Sequence, residues 1–81
     1  MDYSQIVSVT KEFLVDEFEV EEEVISDDAE LIPTLDLDSL DFVDLVVIIE
    51  SKFGFKATGE DFKEIATFKQ FYDFIDLKVN S

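Results

Sequence analysis

Apolar residues recur along this chain at helical spacing in three blocks, and one long acidic stretch between the first two loses that rhythm. Between Tyr3 and Phe18, the residues Ile6, Val9, Phe13, Leu14 and Phe18 share one face of a 3.6-residue repeat, and neither Gly nor Pro interrupts them. This predicts a first helix over 3–18, about four turns long, with Lys11, Glu12 and Asp16 on its solvated side. The second block is more apolar. Phe42, Leu45, Val46, Ile49 and Phe53 follow the i, i+3, i+4, i+7, i+11 pattern of a core-facing stripe and predict a second helix over 39–53. Leu40, Val43 and Val47 form another stripe, flanked by Asp41, Asp44 and Glu50. Two readings account for it: a helix buried on several sides, or an apolar strip rimmed by carboxylates that a basic partner would recognise.

Boundary residues agree with these elements. Asp38 is suited to cap the second helix by accepting from a free backbone N–H two or three residues on, which puts Ser39 at the first helical position. A hydroxyl there lies at the positive end of the helix dipole, where a phosphate ester would be stabilised. Gly54 suits the left-handed residue that ends a helix. A short third helix is expected over 60–65, from Phe62 and Ile65 three apart. A fourth is expected over 68–77, opened by Thr67 with Gln70 as its capping-box partner and carrying Phe68, Phe71, Tyr72 and Ile75. The tail 78–81 is expected to fray. From 19 to 34 the chain reads as a long connection with one helical turn near 27–30, pinned by Leu31, Ile32 and Leu35, and with Pro33 opposing helix just before the second helix. The predicted fold is therefore all-α, a four-helix bundle with a long loop between helices 1 and 2 and a short third helix, in one domain over 1–81.

Composition decides between order and disorder. Twenty-one Asp and Glu against six Lys and Arg give a formal charge of −15, a balance common in disordered chains, but nine Phe, two Tyr and 47% apolar residues supply a core. At 81 residues that core is near the lower limit for a domain without disulfides or metal, and the chain has no Cys. The negative field repels nucleic acid and anionic lipid and favours partners with basic patches. The N-terminus lacks the basic and apolar regions of a signal peptide. No apolar run approaches the roughly 18 residues of a membrane span, so a cytoplasmic protein with no membrane insertion is expected.

The inventory also restricts chemistry. Without His, the chain lacks the commonest general base and the commonest zinc ligand, and nothing in the spacing brings Lys52, Lys56 or Lys69 to Ser39, so no catalytic residue is assigned. Asp36-Leu37-Asp38-Ser39 begins like a calcium-binding EF-hand loop. That loop then needs an oxygen ligand, a glycine and a glutamate where this chain has Leu40, Asp41 and Val47. No metal is expected.

Asp38-Ser39-Leu40-Asp41 followed by Phe42-Val43-Asp44-Leu45-Val46 resembles the attachment site and second helix of the acyl carrier protein family. The resemblance runs from the first helix to about Ile75. It implies a non-enzymatic carrier in which 4′-phosphopantetheine, taken from coenzyme A, is attached covalently to Ser39 beside the helix-capping Asp38. The arm would hold acyl intermediates as thioesters and pass them between enzymes of fatty-acid or related lipid or polyketide biosynthesis. Implied partners are a phosphopantetheinyl transferase (holo-carrier synthase), acyltransferases, ketosynthases and other acyl-processing enzymes with basic docking patches, served by a monomer. The family's docking contacts fall on Leu40, Asp41, Val43, Asp44, Val47 and Glu50, with Asp38 contributing charge. An acyl pocket is expected between the second and third helices near Val47, Phe62 and Ile65, with Phe62 limiting its depth.

Four positions depart from the family pattern: Asp36 replaces a glycine, Ser51 an acidic residue, and Ala57-Thr58 an Ile-Pro pair. They point to a specialised member. Two alternatives stand beside this reading, a carrier of aminoacyl or polyketide intermediates and an acidic adaptor for a basic protein.

Overall fold

The computed structural model describes residues 1–80. Five α-helices are present among them, α1 (Tyr3–Phe18), α2 (Leu31–Leu35), α3 (Ser39–Phe53), α4 (Gly59–Lys63) and α5 (Phe68–Val79), with a single 3-10 turn at Glu22–Val24 and no strand. The architecture is all-α, as expected. No helix among the described residues is long and apolar enough to cross a membrane.

Helix α1 starts where Asp2 and Gln5 exchange side-chain to backbone hydrogen bonds of 2.9 and 3.0 Å, a capping box. It buries Ile6, Phe13 and Leu14 against α5, whose Phe68, Phe71, Tyr72 and Ile75 are all buried. Asn80 donates to the Met1 carbonyl at 2.9 Å, so the two ends of the chain meet. Helix α5 extends through Lys78 and Val79, further than the predicted boundary, because its last turn closes onto Asn80. The expectation of a frayed tail therefore fails for Lys78 and Val79; for Ser81 it lies outside the described residues.

The long connection is more structured than predicted. A hydrogen-bonded turn replaces the helical turn expected over 27–30, and the helix lies further on, at α2, with Pro33 inside it. Pro33 is the third helical residue, and the first turn of a helix has no carbonyl to receive its N–H, so proline's missing donor costs nothing there. Of the expected anchors, Leu31 and Leu35 are buried, joined by Ile25 and Leu37, while Ile32 is 39% exposed. Backbone bonds tie this segment to the start of α5: Leu31 N–H to Ala66, Phe68 N–H to Ala29 and Lys69 N–H to Asp27, at 2.9 to 3.2 Å.

Tyr72 is fully buried, yet its hydroxyl has no hydrogen-bond partner among the described residues. Burial, with smaller contributions from the Asp27 carboxylate and Tyr3, pushes its phenol up to about 12. Below the ordinary value of 10 both folded and unfolded chains keep the proton. Between 10 and 12 only the unfolded chain releases it, so stability falls across that window. Tyr72→Phe is expected to leave neutral-pH stability unchanged or raised, since an unpaired hydroxyl contributes no bond, and to reduce the alkaline loss seen in melts at rising pH. Tyr3, likewise pushed up to about 12 by burial and then by Asp73, leaves a residual dependence.

Candidate functional site

Helix α3 carries the site, and its start is fixed by a reciprocal cap. Asp38 Oδ1 accepts from the Leu40 and Asp41 N–H groups at 2.9 and 3.0 Å, and Asp41 Oδ2 accepts from the Asp38 N–H at 3.1 Å. Ser39 is exposed at the first helical position, and nothing among the described residues is hydrogen-bonded to its hydroxyl. The two carboxylates alter the expected electrostatics: two donors of this helix end, the N–H groups of Leu40 and Asp41, are already occupied by Asp38. A phosphate ester on Ser39 would thus face solvent between two acidic neighbours, and the end of the helix dipole would be largely offset.

Asp36 sits just ahead, at φ 53° and ψ 51°, where it ends α2 in the left-handed conformation. A glycine would adopt this without strain, whereas a residue with a Cβ is disfavoured by about 1–2 kcal/mol, less for Asp. Asp36→Gly is expected to raise the urea midpoint by the equivalent of up to about 1 kcal/mol, after the extra freedom of glycine in the unfolded chain is deducted.

At the far end of α3, Gly54 takes φ 80° and its N–H donates to the Glu50 carbonyl at 2.9 Å. Between the caps, Leu45 and Ile49 are fully buried, and Phe42, Val46 and Phe53 are half-buried. The second stripe faces outward: Leu40 is 76% exposed, Val43 61% and Val47 60%. This removes the reading of a helix buried on several sides. Asp44 and Glu50 are exposed near the stripe, and Asp41 is half-buried in the cap.

Helix α4 is shorter than the predicted 60–65 and begins one residue earlier, at Gly59. Thr58 and Asp61 form its capping box, with Thr58 N–H donating to Asp61 Oδ2 at 2.9 Å. That Thr-x-x-Asp spacing was the available signal. Ile65 lies beyond the helix and is buried, and Phe62 is buried against Phe42 and Phe71.

Two apolar grooves open along this face. One, of about 420 Å³, is lined by Ser39, Val43, Val46, Val47 and Ala57. The other, of about 610 Å³, is lined by Ile32, Glu60, Phe62 and Lys63. Phe42, Thr58 and Gly59 border both. Val47 and Phe62, expected in one pocket, therefore lie on different grooves, and Ile65 lines neither. Phe42, which borders both grooves, packs on Phe62 with ring centres 5.5 Å apart and separates it from the Val47 side. The lining residues that sequence reasoning missed include Phe42, Thr58 and Gly59, which border both grooves, and Val46 and Ala57 on the Ser39 side.

Residues 9–75, which include both grooves and Ser39, match the family model described as the phosphopantetheine attachment site. The acyl carrier protein of Coprothermobacter proteolyticus is 40% identical over 76 residues, covering 94% of this chain and 93% of its own length. That of Thermotoga maritima is 36% identical, with 93% of each chain covered. That of Thermosynechococcus vestitus is 32% identical over 98% of each. The chain belongs to the acyl carrier protein family. Members of this family carry 4′-phosphopantetheine covalently, and the residues present fit such a group: an exposed primary alcohol on a rigidly capped helix, opening directly onto an apolar groove.

Proposed function

We propose that Ser39 is the attachment point of 4′-phosphopantetheine and that residues 1–81 act as one non-enzymatic carrier unit. It holds acyl intermediates as thioesters and passes them between enzymes of fatty-acid or related lipid or polyketide biosynthesis. The observation that supports this most directly is the solvent-exposed Ser39 hydroxyl, unbonded at the first residue of α3, within the region that matches the attachment-site family. In the attachment step the Ser39 oxygen forms a bond to the pantetheine-side phosphorus of coenzyme A, the bridging P–O bond breaks, and adenosine 3′,5′-bisphosphate leaves with the electron pair. The Ser39 proton goes to a base on the transferase, since this chain has no histidine to take it. Once bound, the arm supplies a terminal thiol, which the chain itself lacks. Intact mass after incubation with coenzyme A and a phosphopantetheinyl transferase tests the reading. Gain of one arm supports it; no gain, with a transferase that modifies other carriers, leaves the acidic adaptor ahead.

Docking in this reading uses Leu40, Val43 and Val47 as a greasy strip, with Asp38, Asp41, Asp44 and Glu50 as its acidic rim. Partners are the transferase, acyltransferases, ketosynthases and other acyl-processing enzymes with basic patches, met by a monomeric, cytoplasmic carrier. Long-range attraction raises encounter rates without lengthening residence, which suits repeated delivery. Asp44→Lys with Glu50→Lys leaves the α3 cap intact and is expected to slow modification by the transferase about tenfold or more at low salt, and to flatten its salt dependence. Unchanged stopped-flow rates would remove the docking assignment.

A further inference from the structure

We propose that Phe42 sets the length of acyl chain this carrier shelters, by standing as a wall between the two grooves. The inference rests on Ser39 as the attachment point. The groove that begins at Ser39 offers Val43, Val46, Val47 and Ala57, with no charged side chain to pair with an ammonium group. Its occupant is accordingly an apolar acyl chain rather than an aminoacyl one. A chain leaving that groove for the interior meets packed aromatics: Phe42 lies 5.5 Å from Phe62, which lies 6.0 Å from Phe71, ring centre to ring centre. Phe62 and Phe71 are 2% and 0% exposed, so the space beneath the groove is filled.

Onward passage along the surface leads into the second groove, past Phe42, Thr58 and Gly59. Gly59 has no side chain, and apart from its chain neighbours and its own helix backbone no atom lies within 4 Å of where a Cβ would stand. Thr58 is small and held by Asp61. Phe42 is the one bulky residue at the junction. Its ring, backed by Phe62, confines short chains to the Ser39 side and leaves the tail of a longer chain in water.

The test uses the full chain, loaded at Ser39 by a transferase with acyl coenzyme A bearing straight acyl groups of increasing length, and checked by intact mass. Cleavage of the thioester by hydroxylamine reports shelter without any partner enzyme. For the native chain, protection is expected to grow by up to about fourfold per methylene buried and then to level off where the tail meets Phe42. Phe42→Ala moves that plateau to longer chains. Ile32→Trp, which fills only the far groove, leaves the native profile unchanged but cancels the gain in the Phe42→Ala background.

Two behaviours of the plateau overturn the proposal. One is a plateau that stays in place in folded Phe42→Ala. The other needs only the native Phe42 background: protection that keeps rising with length and is cut by Ile32→Trp. Failure to load at all sinks the carrier reading and this one together, whereas loading with a flat length profile sinks this one alone.

Discussion

Ser39→Ala is expected to abolish arm attachment completely while leaving the fold as stable as before. Ser39 is exposed, its hydroxyl holds nothing in place, and alanine at the first helical position is well tolerated. The substitution should therefore change stability by no more than about 0.5 kcal/mol. The nearest rival acceptor on the same groove is Thr58, whose hydroxyl is committed to Asp61 Oδ2 at 3.1 Å. Intact mass decides: a variant that still gains one arm places the modification on another hydroxyl. A variant that gains none, with an unchanged melting curve, shows that the loss is chemical rather than a collapse of the helix.

The second large effect belongs to the core beneath the site. Leu45→Ala is expected to cost about 2–5 kcal/mol, because Leu45 is fully buried on α3 and its loss leaves a cavity as well as removing apolar area. A domain of this length has a total stability of about 4–12 kcal/mol, and a net charge of −15 pushes it toward the lower figure through self-repulsion. The variant should be substantially unfolded at low ionic strength by circular dichroism and should refold in part when salt screens the carboxylates. Val47→Ala, on the same helix but 60% exposed, should shift the urea midpoint by the equivalent of less than about 0.5 kcal/mol. Equal effects at the two positions would contradict the burial pattern of α3.

That pattern also shows what could be read from the chain before its structure. The ends of α3 were legible because periodicity and chemistry agree there: Asp38 caps, Gly54 turns left-handed, and the apolar spacing runs between them, whereas α1 was legible from periodicity alone. Helix α2 was not, since a five-residue helix shows too little periodicity to count and Pro33 reads as a breaker unless its place in the first turn is known. Leu40, Val43 and Val47 stood out as a second stripe, but spacing alone cannot distinguish an outward strip from a second buried face. The groove was harder still. Its walls come from α3 and from residues 57–59, brought together by packing of Phe42 on Phe62 across a gap in sequence that no local pattern spans. The charge effect of Asp38 on its own helix end was likewise invisible until both N–H groups were seen bonded to it.

The backbone bonds from Leu31, Phe68 and Lys69 tie residues 27–31, ahead of α3, to the start of α5. With the proposed attachment at Ser39, an arm would swing from a helix whose start is held by the Asp38–Asp41 cap, and its reach would be a fixed radius about that residue. Two enzymes farther apart than twice that radius could not be served from one docked position, so a carrier built this way would have to let go of one before it reached the other.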